Sequence, residues 1–110
     1  MEKDARRAAV AAWKERAVDA GVYAFRAPDG ACWVGAARSL GAAENRLRFV
    51  LRTGGPAPAE LAAAWGGAGG EGFRFEVLER LDAELSPMAR ARVLKEAVSI
   101  WRDRLAARPL

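Results

Sequence analysis

Histidine is absent from the 110 residues, and cysteine occurs once, at Cys32. Those two scarcities exclude internal disulfides, cysteine-rich zinc sites and every catalytic pairing built on Cys–His or Ser–His. No apolar run is long enough for a membrane span, and residues 1–7 are charged and helix-forming, unlike a secretion signal, so a cytoplasmic location without membrane contact is expected. Lysine is sparse as well. Nearly all of the 18 basic residues are arginine, set against 14 acidic ones for a formal charge of +4. Arginine offers planar, bidentate contacts to phosphate where lysine offers a point charge, so a polyanionic partner is admitted. A solvated surface gives the same composition, and charge alone does not choose between them. The length and a hydrophobic content of 52% suit one compact domain with one core, and are too small for two.

Residues 2–18 are alanine-rich, with Val10, Trp13 and Ala17 at helical spacing, which predicts an N-terminal amphipathic helix over residues 1–20, ended near Gly21. Residues 22–27 and 31–36 are short apolar runs separated by Pro28, Asp29 and Gly30, the turn chemistry of a β-hairpin. Ser39 is placed to cap a helix through Arg52, with Leu40, Ala43, Leu47 and Leu51 as its apolar stripe and Gly54–Gly55 as its stop. A short helix is expected over residues 58–65. The glycine-rich stretch 66–72 then precedes a third strand in which Phe73, Phe75 and Val77 alternate with Arg74 and Glu76. Phosphate and dinucleotide loops lie between a strand and a following helix; here a helix precedes and a strand follows, so this stretch reads as a structural turn. Ser86–Pro87 opens a C-terminal amphipathic helix carrying Leu94, Val98, Trp101 and Leu105. The expected fold is a small α+β domain over residues 21–105, a three-stranded sheet with a β-hairpin, flanked by helices.

The hairpin carries Gly21-Val22-Tyr23, nine intervening residues, then Trp33-Val34-Gly35. This pair of tripeptides resembles the signature of the GIY-YIG nuclease family. Residues 34–40 are similar to the segment that follows the second tripeptide in the excision-repair members, and Arg46, Leu47, Leu51 and Gly54 fall at the family's helix spacing. The likeness runs from Gly21 to about Leu81 and extends more weakly to Trp101. It implies a divalent-metal-dependent endonuclease acting on DNA, with Mg²⁺ or Mn²⁺ as cofactor. Such chemistry needs a base to deprotonate water, a cation to stabilise the extra negative charge and a metal to polarise the phosphate. The resemblance implies Tyr23, Trp33 and Arg46 as catalytic residues. It also implies Arg38 as a phosphate contact. Arg48 and Arg52 are one turn apart on another face of the same helix and are either solvated charges or backbone contacts to nucleic acid. On spacing alone, Tyr23 also reads as a half-buried strand aromatic.

Four features depart from the family pattern, one being that the asparagine closing the site in some relatives has no counterpart in the tail 106–110. Trp33 replaces a tyrosine, keeping an N–H donor but losing a hydroxyl. Val50 stands where many relatives carry histidine, and it neither accepts a proton nor positions water. The family's metal-binding glutamate lies about three residues before an aromatic on the last helix, which here is Val98. Glu96 is the nearest carboxylate and is the expected metal ligand, although two residues turn a helix by about 200° and place it off the apolar stripe. Glu76 and Glu79 on the third strand are fallbacks. The endonuclease reading thus stands beside a catalytically degenerate nucleic-acid-binding module on the same scaffold, and beside a protein-interaction module using the tryptophan-bearing helices.

Overall fold

A computed structural model describes residues 19–110, and the helix expected over residues 1–20 lies almost wholly outside them. Strand β1 (Gly21–Arg26) and strand β2 (Cys32–Ala37) form the expected antiparallel hairpin, with Tyr23 opposite Gly35 and Phe25 opposite Trp33. Gly30, at a φ of 96°, sits in a region open to glycine, and the Asp29 side chain accepts a hydrogen bond from the Ala31 N–H at 3.0 Å to close the turn.

Helix α1 (Leu40–Thr53) follows, and Gly54 ends it in the left-handed conformation, as the glycine pair suggested. Its N-terminus departs from expectation. Ser39 makes no side-chain cap. Asp19 supplies it from outside the helix: its carbonyl accepts from Leu40 N at 2.8 Å and its carboxylate from Gly41 N at 2.9 Å. The same carboxylate pairs with Arg80, tying the helix start to the far end of strand β3 (Arg74–Arg80). A carboxylate at a helix N-terminus also meets the positive end of the backbone dipole.

Between α1 and β3 lies the short helix α2 (Ala59–Gly67). After β3 comes helix α3 (Pro87–Leu105), where Ser86 Oγ accepts from Ala89 N at 3.2 Å and proline occupies the first turn, both as expected.

The sheet has four strands, not three, in the order β3-β1-β2-β4. Ala106, at a φ of 51°, reverses the chain after α3 and lays Arg108–Pro109 (β4) parallel to the free edge of β2. A two-residue strand containing proline has no periodicity to read, and proline is tolerated there because an edge strand needs few N–H donors. The added strand lies past residue 105, where the sequence closed the domain.

Both faces of the sheet are covered. One face buries Tyr23, Phe25 and Trp33 beneath Leu40, Leu47 and Leu51 of α1 and Leu61 of α2. The other buries Val22, Ala24 and Val34 beneath Ala97 and Val98 of α3. Each fully buried large apolar side chain contributes roughly 1.5–3 kcal/mol by leaving water. The strict alternation expected in β3 breaks at a bulge: Tyr23 pairs with Val77, yet Val22 pairs with Glu79, so Leu78 is the extra residue. Leu78 packs towards α3, Glu79 accepts from the Trp101 indole at 2.9 Å, and Val77 remains partly exposed.

Beside the bulge the backbones of β1 and β3 approach so closely that a Cβ on Gly21 would collide with the Glu79 carbonyl oxygen and lie 2.8 Å from Leu40 Cδ1. Backbone cannot yield as a side chain does. Gly21→Ala is therefore expected to destabilise the fold by about 3 kcal/mol or more in urea unfolding. Gly66→Ala in α2, where a Cβ meets nothing within 4 Å, should stabilise it by roughly 0.5–1 kcal/mol. Equal effects of the two would contradict this packing.

Candidate functional site

Tyr23 owes its setting to the residue across the ladder. Gly35 is buried, and a Cβ there would stand 2.9 Å from the Tyr23 Oη, 3.0 Å from its Cζ and 3.1 Å from Leu110 Cβ. Only a residue without a side chain lets the phenol lie across the strand. Its ring stacks on Phe75 with centroids 4.9 Å apart, which fixes it from the β3 side.

Helix α1 presents Ala43, Arg46, Leu47 and Val50 as one stripe at helical spacing towards this phenol. Together with Arg38 and Ser39 from the end of β2, the Pro56–Pro58 turn and Leu110, they line an open cleft of about 480 Å³ with Tyr23 in its wall. No aspartate or glutamate lines it. Arg38 and Arg46 are both exposed, and neither forms an ion pair among the described residues. The polar side chains offered are thus two guanidinium forks and two hydroxyls, an arrangement rich in donors and, among the described residues, without an acidic side chain.

Burial pushes the Tyr23 hydroxyl above its ordinary value, while the nearby guanidinium groups of Arg102 and Arg46 pull in the opposite direction. The phenol is therefore protonated at neutral pH and acts as a donor rather than as a base. Arg102 was not singled out in the sequence. It lies on α3, on the far side of the sheet, and donates from Nε to the Val34 carbonyl at 3.0 Å at the edge of β2. No helical period or motif marks it, because its approach depends on that strand edge.

The other expected site residues are placed elsewhere. Trp33 is 1% exposed, lies in the core, carries Arg108 over its ring at 5.9 Å and does not line the cleft. Arg48 is held by Glu44 at 2.9 Å and by the Phe73 carbonyl at 3.0 Å, with its guanidinium 5.3 Å from the centre of the Phe25 ring. Arg52 borders a different depression, beside Asn45 and Trp65. Val50 lines the cleft at the position where the resemblance would put a histidine.

Glu96 is exposed on α3, the helix that packs on the opposite face of the sheet, and does not line the cleft. Glu76 is paired with Arg26 at 3.0 Å and Glu79 with the Trp101 indole. Among the described residues no three carboxylate, cysteine or histidine side chains gather to hold a metal ion. The donor set around Tyr23 does not fit a divalent cation, since hard cations take oxygen ligands dominated by carboxylates.

No family model, curated protein or solved structure matches the chain. The likeness to GIY-YIG nucleases therefore rests on the tripeptides and on what surrounds them. No helix among the described residues is long and apolar enough to cross a membrane.

Tyr23 is the only tyrosine, so its ionisation can be followed in the intact protein by tyrosinate absorbance. A midpoint above tyrosine's ordinary value of about 10 is expected. Both Arg46→Ala and Arg102→Ala should raise it further, the latter more, since each removes a charge favouring the phenolate. Because the native state holds this proton longer than the unfolded chain, the group adds no pH dependence below about 10, and stability falls as pH rises from there through the folded-state value. A midpoint below 10, or one indifferent to both substitutions, would contradict the described geometry.

Proposed function

We propose that this chain binds the phosphodiester backbone of nucleic acid, DNA in the first instance, in the cleft beside Tyr23 on a GIY-YIG-like scaffold. The observation that carries the reading is the pair of exposed arginines, Arg38 and Arg46, that reach one cleft from separate elements with no aspartate or glutamate in its lining among the described residues. A phosphate entering there exchanges water for charge-assisted hydrogen bonds from both guanidinium groups, with the protonated Tyr23 hydroxyl as a further donor. Such contacts fix backbone position and carry no sequence information, so binding indifferent to base sequence is expected.

A second reading is the metal-dependent endonuclease that the tripeptides imply. Its support is that Tyr23 and Arg46, at the positions of the family's tyrosine and arginine, share the cleft. Its difficulty is the donor set: Mg²⁺ or Mn²⁺ would find arginines where carboxylates are needed, and no described residue there accepts a proton from water.

The two readings separate in one set of measurements. Purified protein should retard single-stranded or duplex DNA without nicking supercoiled plasmid in Mg²⁺ or Mn²⁺. Affinity should fall steeply with salt, as expected when phosphate contacts release counterions. Arg46→Ala should weaken binding about tenfold or more, in line with the roughly 1.5–3 kcal/mol of a hydrogen bond to a charged group. Metal-dependent nicking that Arg46→Ala abolishes would replace the binding reading with the enzyme. No retardation of any DNA at low salt would overturn both.

A further inference from the structure

A second groove, of about 700 Å³, opens on the other side of the end of β2, between that strand and the first half of α3. It is continuous with the cleft beside Tyr23 in one respect: Ala36 and Arg38 line both. Its other cations are Arg90 and Lys95, its apolar floor includes Leu94 and Val98, and no carboxylate lines it among the described residues. The charged side chains along the whole path are therefore of one sign among the described residues.

Arg90 supplies an independent observation. Its Nη2 donates to the Leu85 carbonyl at 3.1 Å, holding the guanidinium in place at the start of α3. Its Nε is buried and has no hydrogen-bond partner among the described residues. A buried charged donor without an acceptor is costly, so this guanidinium gains more than a solvated one from an anion that draws it into the groove. The orphaned donor, the exposed Lys95 ammonium and the shared Arg38 give the groove the chemistry of a phosphate track rather than that of an apolar docking surface.

We infer that nucleic-acid backbone continues from the Tyr23 cleft across Arg38 into this groove, where Arg90 and Lys95 hold further phosphates. This rests on the cleft binding phosphodiester, and adds a direction and a minimum length to it. A dinucleotide engages the cleft alone; a longer strand engages both. Arg38 stands at the junction and belongs to each.

The test compares a thymidine dinucleotide with a long oligothymidylate by fluorescence anisotropy over a range of salt concentrations. The proteins are wild type, Arg46→Ala, Arg90→Gln/Lys95→Gln, Lys95→Glu and Arg92→Gln. Lys95 and Arg92 are both exposed, and Arg92 lies on α3 outside the groove. The double variant should leave dinucleotide affinity unchanged, weaken the long strand, and lower the steepness of its salt dependence by roughly 0.7 in log–log slope for each phosphate no longer neutralised. Lys95→Glu, which needs no packing change, should lower the log affinity for the long strand by more than twice the loss from Arg92→Gln, twice being what its doubled charge change gives alone.

Long-strand affinity and slope in the double variant equal to wild type would overturn the groove while leaving the cleft standing, provided Arg46→Ala weakens both ligands. A log-affinity loss for Lys95→Glu no more than twice that for Arg92→Gln would reduce the effect to general charge and overturn it too. Equal loss of both ligands in the double variant would overturn the division between cleft and groove. Absence of binding by wild type would overturn the cleft and the groove together.

Discussion

The site depends on one close approach, the Tyr23 phenol lying across Gly35. The hairpin register puts a glycine opposite the tyrosine, and the missing Cβ leaves the space the ring occupies. Around it, Leu110 closes on the same glycine and Phe75 stacks on the phenol, while the neighbouring Val34 carbonyl accepts from both Leu110 N and Arg102 Nε. The bulge in β3 belongs to the same arrangement. It keeps Phe75 and Val77 in step with Phe25 and Tyr23 while turning Leu78 and Glu79 towards α3. A fold that covers both faces of a narrow sheet thus retains an open wall at one end of the hairpin, where α1 and the end of β2 diverge.

Two sets of arginines contrast, and that contrast gives the cleft its character. Arg26, Arg48, Arg80 and Arg108 are each matched to a carboxylate, and Arg48 and Arg108 also lie over aromatic rings. Exposed ion pairs of this kind contribute little individually, about 0–1 kcal/mol, but they hold these side chains against the body of the protein. Arg38 and Arg46 have no such anchor among the described residues and share the cleft instead. Positive charge is a local property there, because two exposed arginines line the cleft and no aspartate or glutamate among the described residues does.

Much of this was legible in the chain. The hairpin, the stripe of α1 with its glycine stop, and the Ser86–Pro87 start of α3 follow from local chemistry, and each lies within a residue or two of its expected place. The co-location of Tyr23, Arg38 and Arg46 was approached through the tripeptides and helix spacing. What escaped depended on contacts distant in sequence. Asp19 displaced Ser39 as the cap because a carboxylate from the preceding strand lead-in reached the helix start first. Trp33 shares a sheet face with Tyr23 but sits under Arg108 of a strand too short to show a period. Arg48 lies four residues from Glu44, a spacing that ordinarily pairs them, and its second bond to the Phe73 carbonyl crosses from α1 to the loop before β3. Arg102 reaches Tyr23 from the opposite layer, for which no one-dimensional pattern exists.

Under the proposed function, phosphate is gripped by Arg38 and Arg46 and ignored by the arginines already matched to carboxylates. The most direct measurement is an NMR titration of the arginine Nε–Hε signals with a thymidine dinucleotide. Saturable shifts of Arg38 and Arg46, with Arg26 and Arg48 unmoved, are the predicted result. Stationary Arg38 and Arg46 signals, or small uniform shifts across every arginine, would contradict it.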